Sequence, residues 1–346
     1  MQICCLKMVV KNAFKLRMSY NLLDYSRGGG CGCKLGPEQL KTLLSGHNSP
    51  VSAQLSVGFL ERDDAVVLPL NNGDSLVQSL DFFLPVVNDA YDFGQIAAAN
   101  AISDLYAMGA QPISALSMLG WPQEQLPIQL AQEVLAGAEH ICQAAGITIS
   151  GGHSIESKEP LFGLSVTGLA KSEQIRLKST VKVGDHLYLS KPLGLGLMAN
   201  GLKQKQLSEQ AYQVFLKWST QLNTLGLKLA ELPQVSAMTD VTGFGLLGHL
   251  SEMLGKQFGA DLELDRIPVF EAAKQLAQAY VYPNITTNNY NAVQAHTTGL
   301  DGIHMLWLCD PQTSGGLLVA SQTDLDFPDL IKIGQVTAEK GIRVLF

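Results

Sequence analysis

Ala237-Met238-Thr239-Asp240-Val241-Thr242-Gly243-Phe244-Gly245-Leu246-Leu247-Gly248 admits two readings that lead to different folds. Gly243, Gly245 and Gly248 have the spacing of a dinucleotide-binding turn, and Asp261 and Asp265 follow at about the distance of a ribose-binding acid. That fingerprint requires an apolar strand before its first glycine, because a parallel strand buried on both faces is apolar throughout. Thr239, Asp240 and Thr242 interrupt the segment where the strand should be. Gly194-Leu-Gly196-Leu-Met-Ala199 matches the same pattern in part, so the spacing alone says little in a chain with 33 glycines. The second reading makes Asp240 the informative residue, a carboxylate at a strand end that can hold a hard divalent cation shared with a substrate phosphate.

Other carboxylates lie at comparable places: Asp63-Asp64 after Arg62, Asp81 after an apolar run, and Asp104 in Asn100-Ala-Ile-Ser-Asp104. A single Asp at a strand end commonly caps a helix or closes a turn. Asp104 is different, because it lies among Ala, Ile, Leu and Tyr on a predicted helix, where a buried carboxylate is costly unless paired or metal-bound. Gly151-Gly152-His153-Ser154 follows a predicted strand and reads as a turn whose bare backbone can approach a phosphate. Asp310-Pro-Gln-Thr-Ser-Gly-Gly316 reads as a polar turn between apolar strands. No Gly-x-x-x-x-Gly-Lys-Ser/Thr loop is present, so an ATP site here belongs to another kind of fold.

Gly28-Gly29-Gly30-Cys31-Gly32-Cys33-Lys34 puts two thiols and an amine on backbone with almost no side chains. Glycines lose much entropy on ordering and bury nothing, so a reactive loop fits better than a packed element. The ammonium of Lys34 favours the thiolate of a neighbouring cysteine, the nucleophilic form. A Gly-rich arm with incidental cysteines, or half of a metal site, is also consistent with this stretch.

Composition narrows the classes. The chain has 346 residues, more than the roughly 250–300 at which one core stops growing, so two domains are the expectation. Hydrophobic residues make up 46% and charged residues 16%, with a net charge of −7, which argues for buried α/β structure and against a nucleic-acid partner. The six cysteines lack the spacing of a disulfide framework, which suits a reducing, cytoplasmic setting. No run reaches the roughly eighteen apolar residues of a membrane span, and no membrane partner is expected. Lys7, Lys11, Lys15 and Arg17 make the first seventeen residues basic with no acid among them. A basic amphipathic anchor is one reading of them; a dispensable tail, with Met18 as the natural beginning, is the preferred one.

Along the chain, a helix is expected over Pro37–Leu44 and a turn at His47–Pro50. Strands Ala65–Leu70 and Ser75–Leu80 should form a hairpin through Asn71-Asn-Gly-Asp74. Helices over Gly94–Met108 and Leu130–Ala145 alternate with strands Ser114–Leu119, Ile147–Ser150 and Leu161–Ala170. A second block begins with strand His186–Ser190, has helices Gln210–Glu231 and Gly245–Lys256, and ends in strands at Leu317–Ala320 and near Ile333 and Val344. The expected divisions are residues 1–47, a leader and Gly-rich arm; 48–170, an N-terminal α/β domain; and 171–346, a C-terminal α/β domain.

Taken in order, Gly30-Cys-Gly-Cys-Lys34, Arg62-Asp-Asp-Ala65, Asp81-Phe-Phe83, Asn100-Ala-Ile-Ser-Asp104, Gly151-Gly-His-Ser154, Ala237 to Gly245 and Cys309 to Gly316 closely resemble the selenophosphate synthetase family. The resemblance covers about residues 20 to 346, and its first motif is particular to that family within its superfamily. It implies a two-domain α/β (α+β) fold like aminoimidazole ribonucleotide synthetase, with an N-terminal mixed sheet that pairs in a homodimer. It also removes the dinucleotide reading, since Gly243 to Gly248 then belong to the Asp240 motif. The implied reaction converts ATP, selenide and water into selenophosphate, AMP and phosphate with Mg²⁺. By resemblance, Asp64, Asp104 and Asp240 would be metal ligands; Lys34, Glu61, Arg62, Asp63, Asp81, Asp104, Gly152, His153 and Ser154 would line the nucleotide site. Lys34 would stabilise the transferred phosphoryl group and Cys31 would receive or position selenium, while Cys33 carries no assigned role. A selenium-delivery protein is an implied partner. Arg27 stands where relatives often have His, Glu61 where Thr is common, and residues 1–17 have no counterpart.

Rival readings are a thiamine-phosphate kinase or a hydrogenase-maturation dehydratase of the same superfamily, the latter expected to carry a C-terminal Cys where this chain ends Val344-Leu345-Phe346. From another class, the Cys31–Cys33 arm could serve a non-catalytic selenium or metal carrier.

Overall fold

The hairpin turn at Asn71 to Asp74 is held by its own side chains, with the Asn72 amide donating to Asp74 at 2.7 Å and Asn72 Oδ1 accepting from the Asp74 N–H at 3.1 Å. Gly73 supplies the left-handed φ of +83° that this turn needs. The computed structural model describes residues 20–26, 28, 29, 39, 42, 43, 57 and 63–346. Cys31, Cys33, Lys34, Glu61, Arg62, residues 1–17, the His47–Pro50 turn and most of the Pro37–Leu44 helix lie outside them.

Strands β1 (Val66–Pro69), β2 (Asp74–Phe83), β3 (Gln111–Trp121), β4 (Ile149–Glu156) and β5 (Leu161–Lys171) form a sheet in the order β1-β2-β5-β3-β4. Only the β3–β4 pair in it is parallel, so the sheet is mixed. Helices α1 (Ala90–Ala107) and α2 (Ile128–Ala144) accompany it. Leu80, Phe82 and Leu116 remain exposed on the sheet.

Helix α1 is buried nearly all round, as its run of small residues permits. Asp89 caps its start by accepting from the Asp92 N–H at 3.0 Å. Two glycines set how closely α1 and α2 pack: a Cβ on Gly94 would stand 1.9 Å from the Val134 carbonyl oxygen, and one on Gly137 2.0 Å from that of Tyr91. Neither backbone can retreat without disturbing its own helix.

The C-terminal part contains β6 (His186–Leu189), β7 (Val235–Asp240), β8 (Gly259–Glu263), β9 (Thr297–Thr298), β10 (Leu317–Ser321), β11 (Ile331–Thr337) and β12 (Gly341–Leu345). They form a second mixed sheet, ordered β7-β10-β6-β11-β8-β12-β9. Its helices are α3 (Leu195–Lys203), α4 (Glu209–Thr220), α5 (Leu225–Ala230), α6 (Gly245–Leu254), α7 (Glu271–Gln278), α8 (Ile285–Val293) and α9 (Gly302–Leu308). A single cluster of buried side chains joins Phe93 and Phe162 to Leu195, Phe215 and Phe270, so the two halves share a core. The halves also approach at Gly226, whose Cβ would lie 2.1 Å from the Tyr106 carbonyl oxygen.

Four local expectations are corrected. Gly151 to Ser154 is no turn but the middle of β4, with Gly152 to Ser154 paired in parallel with Ser117 to Leu119. Gly152 is needed there because a Cβ would sit 2.2 Å from the Ser117 carbonyl oxygen. The helix expected over Gln210–Glu231 breaks into α4 and α5, because Gln221 and Asn223 turn their polar groups to Lys191, Ser103 and Gly315. Asp310 to Gly316 follows a helix, not a strand: Asp301 starts α9 by accepting from the N–H groups of Ile303 and His304 at 3.1 and 3.0 Å. Finally, the segment before Asp240 is a strand despite its polar residues, and it pairs antiparallel with β10.

Gly94→Ala should destabilise the fold by about 1–3 kcal/mol, the usual range for overpacking. Urea unfolding measures this; an unchanged midpoint would show that α1 and α2 can separate freely.

Candidate active site

Asn100, Ser103 and Asp104 occupy positions i, i+3 and i+4 of α1 and form a polar stripe in the Ala-rich second half of the helix. Each reaches a different element. Ser103 donates to Asp240 Oδ2 at 2.5 Å, and its own oxygen accepts from Asn223 Nδ2 at 2.8 Å. Asn100 uses both ends of its amide, donating to Asp81 Oδ2 at 2.5 Å and accepting from the Ser314 N–H at 2.8 Å. Asp104 accepts from the Ser79 hydroxyl of β2. Asp64, ahead of β1, accepts from Thr239 of β7 at 2.8 Å. Carboxylates of both halves are thus tied to partners of the other.

The loop after α9 is fixed by its own polar groups. Gln312 Oε1 accepts from the N–H groups of Gly194 and Leu195 at 3.1 and 3.0 Å, and Asp310 Oδ2 from that of Gly196 at 2.9 Å. These contacts satisfy the start of α3. Ser314 has a left-handed φ of +56°, uncommon outside glycine, and its carbonyl accepts from the buried Lys191 ammonium at 2.9 Å. Lys191 also donates to the Gln221 carbonyl at 2.7 Å. Burial lowers its pKa to about 7, against the pull of Asp240.

Burial is the main force on Asp104, Asp64 and Asp63. It raises Asp104 well above the ordinary carboxylate range, and the charges of Asp240, Asp81 and Asp64 add to the effect. Asp64 is raised for the same first reason, with Asp240 and Asp63 reinforcing it and Lys178 opposing. Asp63 is raised by burial too, although it accepts from the N–H groups of Asp64 and Lys178. A divalent cation would relieve this crowding of negative charge.

The donor set suits Mg²⁺, which takes oxygen ligands, and Asp64 Oδ2 is buried without a hydrogen-bond partner. Among the described residues, no three His, Cys, Asp or Glu side chains converge closely enough to form an ion cage by themselves. Such a site fits an ion held by one or two carboxylates and completed by substrate phosphates, the usual arrangement for Mg²⁺.

The structure therefore brings Asp63, Asp64, Asp81, Asp104 and Asp240 into one connected neighbourhood. It does not bring Gly152, His153 and Ser154 there. Three strand spacings separate β4 from β2, about 14 Å, and β4 is an exposed sheet edge. Sequence reasoning missed Ser79, Ser103, Lys178, Lys191, Asn223, Thr239 and Ser314 as parts of this network. The polar stripe on α1 was a usable signal for Ser103; nothing local marks Lys178 or Asn223.

Asp104→Asn keeps an oxygen for Ser79 and removes the charge. A carboxyl whose folded pKa is raised keeps its proton after the unfolded chain has released it, so its contribution to stability falls as pH rises from about 4. Calorimetry in EDTA should show the variant melting above the parent near about pH 8, with the gain shrinking toward about pH 4. A gain that grows toward acid would contradict an acid raised by burial.

Residues 62–170 match the family described as AIR synthase related protein, N-terminal domain, and residues 182–345 match its C-terminal domain. Proteins named selenide, water dikinase are similar over most of the chain. One from Shewanella sp. strain MR-4 is 44% identical over 324 residues, 92% of each chain. Another from Shewanella baltica strain OS155 is 44% identical over 318 residues, 90% of each. Among solved structures, a thiamine monophosphate kinase from Aquifex aeolicus superposes with a TM-score of 0.66 at 17% identity, covering 89% of this chain and 96% of that one. The hydrogenase maturation protein HypE in complex with ATP superposes at 0.59 with 20% identity, covering 92% and 89%. These structural likenesses establish the fold, and the sequence likeness the narrower group: the chain belongs to the selenide, water dikinase family of AIR synthase related proteins.

Proposed function

We propose that this protein makes selenophosphate from ATP, selenide and water, releasing AMP and phosphate. The observation that carries this reading is the 44% identity over 324 residues to a protein named selenide, water dikinase. The Gly-Cys-Gly-Cys-Lys34 motif and the linked carboxylates support it chemically. Phosphoryl transfer depends mostly on positioning and charge neutralisation, which such residues provide without a phosphate loop.

Asp64, Asp104 and Asp240 are the residues we assign to hold Mg²⁺, with Asp63, Asp81, Glu61 and Arg62 toward the nucleotide. When bound, Mg²⁺ would neutralise phosphate charge. Asn100 and Ser103 orient Asp81 and Asp240, while Ser79 orients Asp104. Lys34 stabilises the transferred phosphoryl group, and Cys31 receives or positions selenium beside it.

Gly152, His153 and Ser154 require a further element of the proposal. Their distance from β2 is about three strand spacings, so we assign them to the nucleotide site of a second copy, in a homodimer formed through the exposed Leu80, Phe82 and Leu116. No helix among the described residues is long and apolar enough to cross a membrane, and we place the protein in the cytoplasm. A protein that delivers selenium is the partner this chemistry calls for.

Cys31→Ala and Lys34→Ala should each lower selenide-dependent AMP formation by about a hundredfold or more while ATP binding persists. Light scattering of the parent should give the mass of a dimer. Metal or selenide binding without nucleotide hydrolysis would instead identify a carrier.

A further inference from the structure

Lys178 lies on the segment that joins the two halves, in a short helical turn at Lys178–Thr180. Its side chain is only 9% exposed, an unusual position for a lysine. The ammonium donates to Glu252 Oε2 of α6 at 3.0 Å and stands 3.9 Å from Asp64 Oδ1. Its backbone N–H donates to Asp63 Oδ1 at 3.4 Å. Glu252 lies 3.8 Å from His249 Nδ1, while His249 Nε2 accepts from the Thr242 N–H at 3.1 Å, two residues beyond Asp240. The cation is therefore shared between Asp64, which we assign to the metal, and a half-buried glutamate that the proposed mechanism does not use.

From this geometry we infer that Lys178 is a built-in counter-cation which balances Asp64 in the metal-free protein and competes with a divalent ion there. The inference rests on the assignment of Asp64 to the metal. Buried like charges are costly, so an acidic site empty of metal needs compensation. An ammonium can provide it beside Asp64, but once a cation arrives at the same carboxylate, the two positive charges repel. Glu252 would then keep the ammonium paired when the ion takes Asp64. Lys191 is placed differently, donating to the carbonyls of Gln221 and Ser314.

A purely structural ion pair would leave metal affinity unchanged when removed. The competing arrangement gives opposite signs for its two partners. Mg²⁺ titrations of the intact protein, read by the rise in melting temperature without nucleotide, make the comparison. Lys178→Gln should lower the Mg²⁺ midpoint by about tenfold and also lower the melting temperature in EDTA. Glu252→Gln should raise the midpoint by several-fold, since it leaves Lys178 to Asp64 alone. Lys178→Arg should keep the midpoint near that of the parent.

If Lys178→Gln does not fold, the sign of the Glu252→Gln shift decides. Asp64→Asn separates this inference from its premise. A midpoint moved by Asp64→Asn but by neither Lys178→Gln nor Glu252→Gln would overturn the counter-cation alone. A midpoint that Asp64→Asn leaves unmoved would overturn the assignment of Asp64, and the counter-cation with it.

Discussion

Asp240 is carried by the C-terminal sheet, yet its carboxylate accepts from Ser103 on the N-terminal helix α1, inside the protein and 2.5 Å away. The rest of the site depends on this bond across the two halves. A buried carboxylate left without its donor costs about 1–3 kcal/mol or more, a large share of the stability of a typical domain. The arrangement therefore fixes the halves against each other as firmly as it fixes the acid. Asn223 extends it by donating to both Ser103 and the Gly315 carbonyl, at 2.8 and 2.9 Å.

A parallel connection runs from Lys191 through Ser314 and Asn100 to Asp81. Both connections pass through α1, which explains why its sequence combines small apolar residues with a narrow polar stripe. The apolar residues let sheet, neighbouring helices and the second half close around it; the stripe reaches the acids. The same close packing concentrates negative charge, and the raised pKa of Asp104 and Asp64 is its electrostatic consequence. Such perturbed acids are typical of sites whose charge is met by a ligand.

The elements and the principal acids were legible where local chemistry dictates them. Asn72-Gly73 makes a hairpin by its own conformational preferences, and Asp104 stands out because a charged residue in an apolar helix needs a reason. Residues that act over long sequence separations were not legible. The break between α4 and α5 follows from Asn223 bonding to a residue 120 positions earlier, and no local pattern announces it. Gly151 to Ser154 misled for a different reason. Glycines there suggested a turn, whereas Gly152 is required by the close approach of the Ser117 backbone within a strand.

What makes the site one unit is that carboxylates from both halves are expected to face a single metal–phosphate group. A crystal structure with Mg²⁺ and a non-hydrolysable ATP analogue tests this most directly. Mg²⁺ is expected at about 2.1 Å from carboxylate oxygens of both Asp240 and at least one of Asp64 and Asp104, with its remaining ligands from phosphates and water. Phosphates and cation bound away from these carboxylates would contradict that shared site.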